Sequence, residues 1–377
     1  MRILHVISLA SPTGEFGGPV RVALNLGLGL EARGHSVVVA GGQRGYPECP
    51  RDLEGVPAAL FPVHSLSRRL GFSGLVSPGL YSWLWRYVAD FDVVHVHLAR
   101  EPQTLAAVEI ALAKGVPVIL QTHGMVDPSS RALARAIDIR MRRILARAAR
   151  VLFLTETERR DLEHVSRRTD LPLEHLPNGV PLAERVQSPE SREGIVYLAR
   201  LAERKRPGAL VDAVVLLHED GFPVPPVFFA GPDEGELAGL MRRLESIPAG
   251  VSATYVGALS HDDGQKLVAG AQMLVLPAVD EPFPMSVLEA LSLGTPVVVT
   301  DSCGLAPVVR DRKCGAVSDT TVRSLADSMK TVLEDAVAMS RDARATATSY
   351  SIESVTGTLE AIYESVLESS TPRANPT

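Results

Sequence analysis

Short apolar runs rich in β-branched residues alternate with longer stretches whose apolar positions recur every three to four residues. In the first half the runs are RILHVIS (2–8), SVVVAGG (36–42), DVVHVHL (92–98), VPVILQTHG (116–124) and VLFLT (151–155). Between them lie helical patterns at 20–34 and 104–115 and a long arginine-rich one over 131–150, and the loop LPNGV (176–180) closes the series. The runs are apolar at nearly every position, so both faces of each predicted strand are covered, as in a parallel sheet built from βα units.

Residues 184–193 change to Pro, Ser, Gln, Glu and Arg, a linker composition, and then the alternation restarts. Strands are predicted at 194–200, 226–231, 253–259, 273–279 and 295–301, with helices at 207–221, 235–246, 261–270, 285–293 and 321–338. One pattern run twice predicts two doubly wound α/β domains, residues 1–184 and 185–350, facing across a groove. A last helical stretch, about 351–367 within a segment ending near 370, is expected to pack back on the first domain. Ligands of such sheets bind outside the carboxyl ends of the strands, so the groove is the expected site. The tail SSTPRANPT reads as frayed.

Composition narrows the function. Hydrophobic residues at 46% and charged residues at 22% describe a globular chain, and 377 residues suit two domains better than one. A net charge of −6 argues against a nucleic-acid partner. Cys49, Cys303 and Cys314 form neither a disulfide framework nor a metal-ligand spacing, which fits a reducing cytoplasm. The opening MRILHVISLA reads as a buried first strand rather than a leader, because Ser11-Pro12 and a Gly-rich loop end it. No apolar run approaches the roughly 20 residues of a membrane span.

Candidate chemistry concentrates where strands end. Glu281 follows the strand at 273–279 and precedes Pro282 and Pro284, which keep it out of a helix; Glu289 falls in the early turns of the helix that follows. The N–H groups at that helix start, around Phe283, Pro284, Met285, Ser286 and Val287, would attract an anion. Upstream, Arg200 and Lys205 sit just past the strand at 194–200, a forked donor and a point charge for phosphate oxygens. In the first domain Gly17 and Gly18 allow a backbone to approach a ligand closely before a helix begins. They are not the dinucleotide fingerprint G-x-G-x-x-G, and the second strand lacks a ribose-binding acid, which disfavours a nicotinamide enzyme. His95 and His97 share one strand face without a third ligand at useful spacing, so a structural role is the better reading. Glu101 just beyond is a candidate for lining the acceptor side. Seven arginines between Arg131 and Arg150 read as a solvated helix face, with peripheral contact to an anionic membrane as the alternative.

Taken in order, GGPVRV, DVVHVH, THG, LPNGV, ARLAERK, the glutamates Glu281 and Glu289, and LGTPVV resemble the retaining glycosyltransferases of family 4. The resemblance spans nearly the whole chain and implies the two-domain GT-B fold. It implies that Arg200 and Lys205 hold the diphosphate of a nucleotide-sugar donor, most often a UDP- or GDP-sugar. Glu289 would bind the ribose, Glu281 the donor-sugar hydroxyls, and Gly17 and Gly18 would close over the diphosphate. His123 of Thr122-His123-Gly124 matches a position near the transferred sugar; from the residues alone a structural histidine fits as well. The family needs no metal or other cofactor, and no Asp-x-Asp signature stands where a divalent ion would be required. The acceptor would be a sugar, as in surface or extracellular polysaccharide, or a small molecule, with specificity in loops such as 47–69. Pro284 stands where many members have glycine, and Pro181 where many have aspartate, so the donor sugar does not carry over. An epimerase on the same fold and a non-catalytic sugar-nucleotide-binding subunit remain alternatives. In this reading neither glutamate moves a proton: the pair positions the donor, and the cations stabilise the leaving phosphate.

Overall fold

The computed structural model describes residues 1–12, 17–65, 74–184 and 186–370. Parts of the first Gly-rich loop (13–16) and of the 47–69 stretch (66–69), Arg185 in the linker, and the tail beyond Ser370 lie outside them. The chain divides into two compact units, Met1–Gly179 joined by the stretch from Ile352 onward, and Val180–Ser351.

The strands of the first unit are β1 (Arg2–Ala10), β2 (Ser36–Gln43), β3 (Asp52–Leu53), β4 (Val56–Pro62), β5 (His64–Ser65), β6 (Leu75–Val76), β7 (Val93–His97), β8 (Val118–Gln121), β9 (Arg150–Phe153) and β10 (Leu173–His175). All but β5 and β6, which pair separately, form one sheet in the order β10-β9-β8-β7-β1-β2-β4-β3. Its helices are α1 (Gly17–Ala32), α2 (Pro78–Tyr87), α3 (Pro102–Ala113), α4 (Ala132–Leu145) and α5 (Glu156–Ser166), with the C-terminal helix Ile352–Ser370. Leu4, Val6, Val94, Val96, Val118 and Leu120 share a core with Val108, Met141, Ile144 and Leu162 of α3, α4 and α5. Side chains alternate along a strand, so His5, His95, His97 and Gln121 face the opposite side. There the C-terminal helix packs, its Tyr363 fully buried against His95.

The second unit holds β11 (Ile195–Leu198), β12 (Val227–Ala230), β13 (Ala253–Gly257), β14 (Met273–Leu276), β15 (Val297–Thr300) and β16 (Gly315–Ser318) in the order β13-β12-β11-β14-β15-β16. All its pairings are parallel. Its helices are α6 (Pro207–Glu219), α7 (Leu237–Glu245), α8 (His261–Ala269), α9 (Met285–Ser292), α10 (Ala306–Arg312), α11 (Val322–Glu334) and α12 (Ala336–Thr348). Tyr197, Phe229, Met273 and Val275 pack with Leu210 and Val214 of α6 and Met329 of α11. The strand order reverses between β11 and β14, the switch point at which open α/β sheets present ligand-binding loops.

Several elements depart from the sequence reading. The helix expected over 321–338 is two, α11 and α12, broken at Asp335, whose φ of −128° leaves the helical range. Gly17 and Gly18 are not a turn ahead of a helix but the first two residues of α1. The arginine-rich helix stops at Leu145, and Arg150 opens β9. Helix α5 escaped notice because ETERRDLEHVS is nearly all polar. Its start is set by Thr155, whose side chain accepts from the Glu158 N–H, and by acids in the first turn.

Candidate functional site

In the second unit the loops after β11 and β14 are stitched together. The chain leaves β11 through a short 3-10 turn, Glu203–Lys205, which closes at Arg206 with a left-handed φ of 52°. The Val279 N–H donates to the Arg204 carbonyl at 2.8 Å, joining the two loops through their backbones. Asp280 is also left-handed, φ 49°, a strained state for a non-glycine residue. Its N–H is held by the Ser302 hydroxyl at 3.1 Å, and the Glu281 carbonyl accepts from the Gly304 N–H at 2.8 Å.

That turn directs the Glu281 carboxylate inward. Its Oε2 meets Lys205 Nζ at 2.5 Å and Arg204 Nη1 at 2.6 Å. Lys205 and Glu281 are each only 8% exposed, so the pair works where water screens weakly. Burial pushes the Lys205 ammonium below its ordinary value, and the Glu281 charge opposes that shift. Arg200 is placed differently: its guanidinium is held by Glu234 at 2.6 Å, and its carbonyl accepts from the Tyr197 hydroxyl at 3.1 Å. The structure thus brings Lys205 to Glu281 and gives Arg200 a carboxylate of its own. In this cluster of ion pairs the cations Arg200, Arg204 and Lys205 face the carboxylates of Glu234 and Glu281. Sequence reading singled out neither Arg204 nor Glu234; the usable signal was the run Arg204-Lys205-Arg206.

Helix α9 starts at Met285 behind Pro284, without a side-chain cap. Met285 and Ser286 are partly exposed in its first turn, whereas Val287 is fully buried and its N–H donates to the Pro284 carbonyl at 3.2 Å. Phe283 is buried with its ring centroid 6.2 Å from that of Tyr350, so it anchors the loop. Glu289, one turn on, has His261 Nδ1 at 3.9 Å. The far end of α9 is secured by buried Arg192, which donates to the carbonyls of Leu293 (2.7 Å) and Gly294 (2.6 Å) and to the Thr295 hydroxyl (2.9 Å). A cation there satisfies carbonyls that the helix itself leaves open.

In the first unit the turn after β8 carries His123 with φ 52°, again left-handed. Glu158 of α5 fixes that turn. Its Oε1 accepts from the Thr122 hydroxyl (2.6 Å) and the Gly124 N–H (2.5 Å), and its Oε2 accepts from the Leu154 N–H (2.6 Å). Burial raises its carboxyl above the usual range. His123 is partly exposed, and its Nε2 lies 2.8 Å from His97 Nδ1 with the rings stacked. Burial pushes His123 down to about 3, so the ring is neutral at physiological pH. His95 and His97 are fully buried and depressed well below the ordinary value, first by burial and then by neighbouring imidazoles. Among the described residues no group of three or more His, Cys, Asp or Glu side chains is arranged to hold a metal ion.

Glu101 does not line an open acceptor face: it is fully buried as the cap of α3. It accepts from the Thr104 N–H and the Ser8 hydroxyl, each at 3.0 Å, and burial pushes it up to about 7. A Cβ added at Gly18 would meet nothing within 4 Å. Cys303 and Cys314 are buried free thiols, pushed up to about 12 and about 11 by burial, which makes them poor nucleophiles.

Known proteins resemble the chain over nearly its whole length. Glycosyltransferase Family 4 matches residues 16–184, and Glycosyl transferases group 1 matches residues 182–350. D-inositol 3-phosphate glycosyltransferases of Mycobacterium bovis and Mycobacterium tuberculosis are 28% identical over 306 residues, covering 76% of this chain and 59% of theirs. The chain therefore spans about three-fifths of the length of these relatives. Among solved structures, Anabaena HepE in complex with UDP aligns with a TM-score of 0.77 at 17% identity, over 97% of this chain and 100% of that one. Sucrose-phosphate synthase from Thermosynechococcus elongatus aligns at 0.76 and 17%, over 98% and 100%. At such identities the structural likeness speaks for the fold, two Rossmann-like units of the GT-B type. With one family description on each unit, meeting at residues 182–184, the chain belongs to the family 4, group 1 glycosyltransferases.

Proposed function

We propose that this chain is a retaining glycosyltransferase, moving a hexose from a nucleotide-diphosphate sugar to a hydroxyl of a glycan or small-molecule acceptor without a metal ion. The observation that carries this reading is the buried Lys205–Glu281 pair, flanked by Arg204 and Arg200, at the switch point of the second unit. A diphosphate entering these loops would meet the Arg200, Arg204 and Lys205 cations and the first-turn N–H groups of α9. The acids hold the cations in place, and the second oxygen of Glu281 can be offered to sugar hydroxyls. Glu289 is the candidate for the ribose. His123, neutral and rigidly held, suits hydrogen bonding to the sugar better than proton removal. Supporting the donor class, HepE has been solved with UDP, with UDP and glucose, and with UDP-glucose.

In the proposed reaction the bond from the anomeric carbon to the phosphate oxygen breaks as the acceptor oxygen bonds to the same face. The acceptor proton passes to the departing phosphate oxygen. Charge grows on the diphosphate, and Lys205, Arg200 and the α9 N–H groups answer it. Gly18, where an added Cβ would meet nothing within 4 Å, is the first-unit candidate for a close backbone contact with the donor. No helix among the described residues is long and apolar enough to cross a membrane. Contact with an anionic lipid surface is proposed instead for one face of α4, where Arg135, Ile139 and Arg143 are exposed at i, i+4 and i+8.

The test begins with thermal shifts against UDP, GDP, ADP and TDP, since a ligand of the native state raises its melting temperature. The sugars of the best nucleotide are then assayed with an acceptor panel, and the product anomer is read by proton NMR. Inversion would overturn the retaining assignment. An epimer formed without acceptor, or tight binding without turnover, would overturn transfer itself.

A further inference from the structure

His123 does not stand alone: it ends a hydrogen-bonded file of side chains running through the interior of the first unit. From His123 Nε2 the file passes to His97 Nδ1 (2.8 Å), then from His97 Nε2 to His5 Nδ1 (3.0 Å). It continues from His5 Nε2 to the Tyr363 hydroxyl (3.4 Å), and from that hydroxyl to His95 Nδ1 (2.7 Å). His5, His95, His97 and Tyr363 are completely buried. Sheet register produces the arrangement, pairing His5 with His95 and His97 with Gln121.

A neutral imidazole has one N–H and one bare nitrogen, so each link forces the next. The Tyr363 hydroxyl has a single proton, which it donates to one histidine while accepting from the other. Only two polarities are therefore open to the file, and its inner end chooses between them. His95 Nε2 and Gln121 Oε1 are both buried without a hydrogen-bond partner, and the register of β7 with β8 puts the two side chains on one face of adjacent strands, where the Gln121 amide raises the proton affinity of the ring. Gln121 Nε2 already donates to Asn178 Oδ1 at 3.4 Å, so the oxygen is what remains for His95. A proton on His95 Nε2 satisfies both orphaned atoms; a bare Nε2 would set two acceptors against each other and leave both unmet.

We propose that His5, His95, His97 and Tyr363 act as a tautomer relay, anchored on Gln121, that fixes the proton of His123 on Nε2 and presents its bare Nδ1 as an acceptor for a ligand hydroxyl. Each donor then has its acceptor: Nε2–H of His123 to His97, Nε2–H of His97 to His5, Nε2–H of His5 to Tyr363, the hydroxyl of Tyr363 to His95, and Nε2–H of His95 to Gln121. Tyr363 and the three inner histidines are positioning residues, since they act on a ligand only through His123. The use of that lone pair in sugar transfer rests on the function proposed above, whereas the tautomer itself does not.

The experiment reads the tautomer directly. Long-range proton–nitrogen correlation spectra of the full, ligand-free chain, assigned with single His→Gln variants, are recorded at neutral pH. The relay predicts a His123 signal with a protonated Nε2 and an unprotonated Nδ1. Tyr363→Phe removes the central link without changing side-chain shape, and Gln121→Met removes the anchor; in each, a His123 population protonated on Nδ1 is expected. Wild-type protein with the His123 proton on Nδ1 overturns the proposal, and so does a His123 signature unchanged in both variants. Should either variant fail to fold, the wild-type spectrum still decides. A kcat lowered in Tyr363→Phe at unchanged donor KM would extend the relay to transfer. The tautomer pattern with unaltered kcat would retain the relay and remove its role in the reaction.

Discussion

Each unit holds a polar network among its central strands and the segments packed on them, and the two networks are built on opposite principles. In the second unit the side chains are charged: Lys205, Arg204 and Glu281 bond at 2.5–2.6 Å on loops that hold each other in place. In the first unit they are neutral, with four imidazoles and a phenol bonded in file and depressed pKa values that keep protons off the second nitrogens. A charged pair can exchange partners when a ligand of matching charge arrives. A neutral file can only keep its polarity or reverse it. The difference separates a region suited to binding and releasing phosphate from one suited to holding a single hydrogen-bonding geometry.

The largest expected effect breaks the charged half. Lys205→Ala and Glu281→Ala should each cut transfer roughly a hundredfold or more in steady-state assays. The double change Lys205→Met with Glu281→Leu should also abolish transfer, yet leave denaturant stability within about 2 kcal/mol of the parent, because isosteric apolar groups replace buried ion pairs well. A double variant that instead failed to fold would show that the pair serves the fold.

The neutral half is tested next through its buttress. Glu158→Ala strands two backbone N–H groups and the Thr122 hydroxyl, a loss expected to cost about 3 kcal/mol in denaturant unfolding. Transfer by the folded fraction should fall as well, since the turn then keeps only the Met125 N–H to Thr122 carbonyl bond (2.8 Å) and the His97 contact to hold His123 at a left-handed φ. Full activity in Glu158→Ala would detach the buttress from the site.

A third test uses pH. His5 is held at about 3 in the fold against about 6.5 in the unfolded chain, and His95 and His97 are depressed in the same sense. Below pH 6.5 the unfolded chain binds protons that the folded one refuses. Stability is therefore intact above that pH and falls as pH drops toward 3, by about 1.4 kcal/mol per pH unit for His5, with His95 and His97 acting in the same direction. Glu101, pushed up to about 7, works the other way between 7 and about 4.5, where the folded state takes up the proton first. The decline should accordingly steepen below about pH 4.5, which urea midpoints measured at several pH values would show.

The smallest effect belongs to Gly18→Ala. The added methyl meets open space within the first unit, so stability should move by no more than about 0.5 kcal/mol. Donor KM should nonetheless rise, because the close backbone approach is lost. An unchanged KM would release Gly18 from the donor site.

What could be read in the sequence follows from distance along the chain. The placements of Lys205 and Glu281 on loops and of Glu289 in the helix that follows were legible because the flanking strands and helices announce themselves locally, and the switch point follows from the order of strands. Arg200 was legible as a cation but not as the partner of Glu234, a contact spanning two loops. The histidine file was not legible. His95 and His97 show only a shared face, and His5 and Tyr363 join them through sheet register and a helix 268 residues beyond His95. Glu158 lay hidden in a helix with too few apolar residues to show its period, and α12 behind a one-residue break that periodicity alone does not mark.

One backbone device recurs. His123 at φ 52° in the first unit, and Asp280 at φ 49° and Arg206 at φ 52° in the second, put non-glycine residues in the left-handed region at or beside each unit's own candidate residues. Glycine would relax each of these turns and asparagine would suit them better than most residues, whereas a β-branched residue would resist the conformation outright. The turns are thus a narrow gauge through which any redesign of specificity must pass. New substrates are more readily reached by changing what projects from the neighbouring loops than by changing the residues on which those loops bend.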